Sequence, residues 1–136
     1  MVRNVGLWID HKQAYLIWHK EGKVDVIPSN IEPPVHFSGG TQLGGKLNQK
    51  GDMELRHNAR YKLQLLKFYR QVIAALKDID SVFVMGPGKA KLEFEKVVRT
   101  YKSMKQRLLK VETADKMTKN QMIARVRKFY KSTATA

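Results

Sequence analysis

The sequence predicts one α/β domain with a mixed sheet, its elements running β-β-β-α-β-α-β-α. Three observations predict it. Short apolar runs rich in β-branched and aromatic residues open the chain, with turn residues between them. Further on, apolar residues recur at helical steps of three and four. Between two such helical stretches lies Ser81–Met85, a continuous apolar run of the kind a strand buried on both faces requires. At 136 residues the chain has room for one substantial core and not for two.

Taken in order, Val5–Ile9 and Ala14–Trp18 flank Asp10-His11-Lys12-Gln13 and read as a hairpin. Glu21-Gly22-Lys23 turns the chain into a third strand, Val24–Ile27, which Pro28 stops. From Ser29 to Asp52 there is little pattern, and Pro33, Pro34, Gly39, Gly40, Gly44, Gly45 and Gly51 crowd into it. A loop of that length is expected to be functional and mobile in the free protein. Helical spacing predicts a helix over Glu54–Lys77, with Leu65, Leu66, Tyr69, Val72, Ile73 and Leu76 on its core side. The Ser81–Met85 strand ends in Gly86-Pro87-Gly88. A second helix follows, with Ala90, Phe94, Val97, Val98 and Tyr101 facing inward. Leu108–Val111 is a short strand. Thr118-Lys119-Asn120-Gln121 has the form of a capping box and opens a last helix that packs through Met122, Ile123, Val126, Phe129 and Tyr130. The domain is expected to span residues 1–130, with 131–136 a frayed tail.

Composition narrows the chemistry. Hydrophobic residues at 43% and charged residues at 28% place the chain among globular proteins. The absence of cysteine excludes disulfides, zinc ribbons, iron–sulfur clusters and thiol catalysis. No apolar run approaches the roughly 18–20 residues of a membrane span, and Met1-Val2-Arg3-Asn4 leads straight into a strand, so a cytoplasmic protein is expected. His11, His19, His36 and His57 form no His-x-x-x-His pair, and neither a metal nor a cofactor is expected. Gly86-Pro87-Gly88 lacks the Lys-Ser/Thr of a P-loop and the third glycine of a dinucleotide fingerprint. It reads as a tight strand-to-helix turn, with an anion at the helix N-terminus as the weaker alternative.

Charge points to the partner. Lys and Arg total 26 against 12 Asp and Glu, a net charge of +14. Residues 1–49 carry five basic and four acidic residues, so nearly all of the excess lies in the helical remainder. Such a field attracts polyanions, and RNA is the commonest in a cytoplasm. At 100° per residue Arg56, Arg60, Lys67 and Arg70 fall together, opposite the apolar side of the long helix. Lys89, Lys91, Lys96 and Arg99 offer a second basic set on the next helix.

Three antiparallel strands followed by alternating helices and strands is the RNase H-like order. Nucleases of that fold hold two metals on carboxylates. Here Asp10 ends the first strand and Glu54 sits near the first helix. The fourth strand carries no carboxylate, Asp80 precedes it at the wrong end, and Asp115 would have to substitute from elsewhere. A nuclease centre is therefore not expected.

Nearly the whole chain resembles the middle domain of the archaeal and eukaryotic class 1 release factors and of Pelota. It is most similar to their short bacterial single-domain relatives. The stretches that carry the resemblance are Val5-Gly6-Leu7-Trp8-Ile9-Asp10-His11, the Gly-rich loop, the Arg56–Lys77 helix, the run from Val82 through Gly86-Pro87-Gly88-Lys89-Ala90-Lys91-Leu92-Glu93-Phe94, and Val111 through Phe129. The resemblance implies an RNase H-like domain without a nuclease centre that works on the ribosome. In release factors a Gly-Gly-Gln tip enters the peptidyl-transferase centre. At the corresponding place this chain reads Ser38-Gly39-Gly40-Thr41-Gln42-Leu43-Gly44-Gly45-Lys46, with Thr41 between the glycines and Gln42. One extra residue displaces a group by about 3–4 Å along the chain. The resemblance therefore implies a ribosome- or rRNA-associated translation factor, acting on stalled or idle ribosomes in hibernation or rescue. The loop, with Gly39, Gly40, Thr41, Gln42, Gly44, Gly45 and Lys46, would be its probe. The alternatives are a peptidyl-tRNA hydrolase using Gln42 and an adaptor for an acidic protein.

Overall fold

The structure is a computed structural model that describes residues 2–31 and 47–134. Its frame is a five-stranded sheet of β1 (Asn4–Ile9), β2 (Gln13–Trp18), β3 (Lys23–Pro28), β4 (Ser81–Gly86) and β5 (Leu108–Thr113). In space the strands follow the order β3-β2-β1-β4-β5. The hairpins make β1–β2 and β2–β3 antiparallel. The helical crossovers make β1–β4 and β4–β5 parallel. The chain is thus a mixed α/β fold, as the sequence predicts. Among the described residues the helices are α1 (Leu47–Ala75), α2 (Ala90–Val98), α3 (Lys102–Lys105) and α4 (Lys119–Ala134).

The two-residue period of β1 and β4 distributes the core. Val5, Leu7 and Ile9 of β1, with Val82 and Val84 of β4, face α1 and α2. There Leu65, Phe68, Tyr69, Val72, Ile73, Leu76, Phe94 and Val98 cover them. Trp8, Phe83 and Met85 face the other way, under Met122, Val126 and Tyr130 of α4. Both central strands are buried on both faces, which is why their sequences are continuously apolar. On α1 the inward residue at the middle turn is Phe68, 2% exposed, whereas Leu66 is only half-buried.

Several boundaries differ from the sequence expectation. The sequence pattern carries the long loop to Asp52, but α1 begins at Leu47, so residues 47–52 are helix, Gly51 included. Once a helix is nucleated, each added residue gains a hydrogen bond for two fixed dihedrals, and one interior glycine costs only about 1 kcal/mol against alanine. At the other end of the loop, Ser29 is tied to the first hairpin: its Oγ donates to His11 O at 2.7 Å and its amide to Lys12 O at 2.8 Å. The second helix stops at Val98 and does not reach Tyr101. Thr100 Oγ1 donates to Val97 O at 2.7 Å, and Tyr101 turns extended to start the separate one-turn α3. β5 continues two residues past Val111, to Thr113. α4 continues past Tyr130 to Ala134, so residues 131–134 of the expected tail are helical. Its N-terminus is the capping box: Gln121 N–H donates to Thr118 Oγ1 at 3.1 Å and Thr118 N–H to Gln121 Oε1 at 2.9 Å.

Candidate nucleic-acid interface

From Leu55 to Ala75 the long helix carries Arg56, Arg60, Lys62, Lys67 and Arg70 and not one Asp or Glu. Burial of the apolar side of α1 against the sheet dictates where these cations go. Arg56, Arg60, Lys67 and Arg70 fall within a sector of about 80° at 100° per residue, and all four are exposed. None of them makes an ion pair among the described residues. Leu63 lies within that sector, between Arg70 and Arg56 on the wheel, and is 61% exposed, so the stripe has an apolar point between its cations. The same helical wheel that gathers the four basic residues also places Leu63 there.

The second basic set divides. Lys89, Lys96 and Arg99 are exposed on or beside α2, on the same side of the sheet as α1. Arg99 Nη2 lies 3.0 Å from Glu95 Oε2, so part of its charge is locally neutralised. Lys91 is a correction: it is 6% exposed, and its Nζ donates to the Gly88 carbonyl. It stands three residues before Phe94 and seven before Val98 on the inward side of α2, so it is not a surface contact. The loop candidates Gly39, Gly40, Thr41, Gln42, Gly44, Gly45 and Lys46 lie outside the described residues.

The carboxylates that a nuclease would need are dispersed. Asp10 Oδ1 accepts the amides of Lys12 and Gln13 at 2.8 and 2.9 Å, which makes it the turn residue of the hairpin. Asp80 Oδ2 accepts the amide of Arg3 at 2.6 Å, at the opposite end of the parallel strands. Asp115 is exposed, and the side chain of Glu54 lies outside those described. Among the described residues no group of three or more His, Cys, Asp or Glu is placed to hold a metal ion.

One titratable cluster joins the first hairpin to the helices. Glu93 Oε1 accepts the Tyr69 hydroxyl at 2.7 Å and lies 2.9 Å from His11 Nε2. Burial, and then the hydrogen bond to Glu93, hold the Tyr69 phenol far above its ordinary range. Burial followed by the Glu93 charge raises Tyr61 as well, whose ring stands edge-on to His11 at 6.2 Å. The cluster fixes His11 at the carboxyl end of β1.

No helix among the described residues is long and apolar enough to cross a membrane. Compared with known proteins, the chain matches no family model and no curated protein.

Proposed function

We propose that the chain binds RNA through the outward face of α1, and that its target is the rRNA of the ribosome. The observation that carries this reading is the stripe itself: four exposed cations, without an ion-pair partner among the described residues, within one sector of a helix that has no acid from Leu55 to Ala75. An exposed helix meant only for solubility intersperses charges of both signs, and the stretch from Leu55 to Ala75 does not. Cations so placed reach successive phosphates and release counterions on binding. The exposed Lys89 and Lys96 extend the positive surface on the same side of the sheet.

The finer assignment rests on resemblance. The strand order β3-β2-β1-β4-β5, antiparallel on one side of β1 and parallel on the other, supports the RNase H-like reading. It supports with it the likeness to release-factor and Pelota middle domains. On that reading the protein is a cytoplasmic translation factor for stalled or idle ribosomes. The test is co-sedimentation with purified ribosomes and separated subunits. Wild-type protein is expected in the ribosomal pellet at low salt, and the variant with Arg56, Arg60, Lys67 and Arg70 all changed to Gln is expected in the supernatant. Equal pelleting of the two proteins would move the interface off α1. Binding to acidic proteins with no binding to ribosomes would favour an adaptor.

A further inference from the structure

Gly86-Pro87-Gly88 and the lysines around it take no part in the α1 stripe, yet they meet at one place. Strands β1 and β4 are adjacent and parallel. From their carboxyl ends the chain leaves in opposite directions, β1 toward β2 and β4 toward α2 and β5. Crevices outside the carboxyl ends of strands at such a divergence are where open α/β sheets hold ligands. A cavity of about 480 Å3 opens there.

Its lining is cationic. Lys12 comes from the hairpin turn, Lys89 from the head of α2 and Lys116 from the segment before α4, with His11 beside them. Among the described residues none of these lysines has an ion-pair partner. The carboxylate in the lining, Asp10, is engaged by two backbone amides. Ala90, the first residue of α2, also lines the cavity, and no side chain caps that helix. The positive dipole end of α2 therefore lies at the same space.

Lys91 is buried beside the crevice and is not part of its lining; its Nζ donates to Gly88 O and steadies the turn. Gly88 has φ +61°, and a Cβ built on it would meet nothing within 4 Å. The backbone is thus bare on that side, open to close approach by a ligand.

We propose that this crevice binds a phosphate group, carried by a mononucleotide or by the end of an RNA strand. Cations converging from three separate segments suit a multiply charged tetrahedral anion. A single carboxylate would leave most of them uncompensated. The cavity has room for the phosphate and part of the nucleoside that bears it. This inference does not rest on the α1 reading: none of its residues lies on α1, and only Lys89 also belongs to the wider positive surface proposed there.

The experiment is titration of the labelled full chain with AMP, adenosine, inorganic phosphate, and a short oligoribonucleotide with and without a 5′-phosphate. AMP is expected to move the amide resonances of Gly88, Lys89 and Ala90, and adenosine is expected to leave them in place. The triple change Lys12→Gln, Lys89→Gln, Lys116→Gln is expected to weaken AMP at least about tenfold, through the loss of charge-assisted hydrogen bonds. The α1 quadruple variant is expected to bind AMP like the wild type, even if RNA binding by α1 proves wrong. Displacement of AMP by inorganic phosphate would assign the site to small phosphorylated molecules. Displacement only by the 5′-phosphorylated oligonucleotide would assign it to an RNA end; either result supports the site. The proposal is overturned if AMP leaves those amides unmoved, or if a triple variant of unchanged thermal midpoint binds AMP as tightly as the wild type. Should the triple variant unfold, the wild-type amide titration decides alone.

Discussion

Gly6 of β1 lies directly beneath Val126 of α4: a Cβ built on Gly6 would stand 2.2 Å from Val126 Cγ2. Glycine is required here by close approach, since any side chain would lift α4 off the Trp8, Phe83 and Met85 face of the sheet. Gly6→Ala is expected to destabilise the fold by about 1–3 kcal/mol, the usual effect of overpacking. Urea denaturation checks this, and adding Val126→Ala should recover part of the loss. A neutral Gly6→Ala would mean that α4 is not seated as described.

Tyr130 fastens the same helix. Its hydroxyl donates to Val5 O at 2.6 Å and receives Ser81 Oγ at 3.2 Å, linking α4 to both central strands. Tyr130→Phe is expected to cost about 1–2 kcal/mol, because a buried carbonyl loses its donor. Burial pushes the phenol up to about 12 from its ordinary 10.0. The unfolded chain therefore releases this proton first as pH rises, and stability should fall from pH 10 upward. Thermal midpoints of wild type and Tyr130→Phe across the alkaline range check the point, with the slope shallower in the variant.

His19 sets the acid side. It is 8% exposed, stacks on Tyr130 at 5.2 Å, and its Nε2 has no hydrogen-bond partner among the described residues. Burial, then the charges of Arg127 and Lys20, lower its pKa below 6.5, opposed only by Glu21. The unfolded chain binds the proton more readily, so stability contributed by the neutral ring is present above pH 6.5 and declines as pH falls through that value. His19→Phe keeps the stacked ring and removes the proton site. It is expected to flatten the dependence of the midpoint between pH 7 and pH 5. A variant as pH-sensitive as the wild type would assign that dependence to other groups.

Much of this arrangement is legible in the chain because local rules and tertiary packing agree. The apolar run of β1, the turn chemistry of Asp10 and the reciprocal bonds of Thr118 and Gln121 are all short-range and all present. The α1 stripe is legible for the same reason, since 100° per residue orders both faces of a helix at once. The start of α1 at Leu47 is not legible, because polar residues and Gly51 mask a helix that extends from a packed body. Lys91 misleads because its charge suggests water while its spacing from Phe94 and Val98 places it inward. The cavity is beyond local pattern altogether: Lys12 and Lys116 are far apart in sequence, and only the sheet order brings them to one crevice.

The α1 stripe should separate stability from binding. Arg56, Arg60, Lys67 and Arg70 are exposed and have no ion-pair partner among the described residues. Their joint change to Gln should alter stability by no more than about 1 kcal/mol, as surface substitutions generally do, because glutamine keeps helix propensity. Urea denaturation of the quadruple variant checks this. A larger loss would mean that the four side chains hold the fold together.

The most direct test of RNA binding is the salt dependence of affinity for purified ribosomes, wild type against the α1 quadruple variant. For the wild type, log affinity should fall linearly with log salt. The slope should correspond to roughly 4–8 neutralised phosphates at about 0.7–0.9 per phosphate. The quadruple variant should bind more weakly, with a slope reduced in proportion to the phosphates it no longer neutralises. A flat salt response in the wild type, or identical slopes and affinities for the two proteins, would contradict RNA binding through α1.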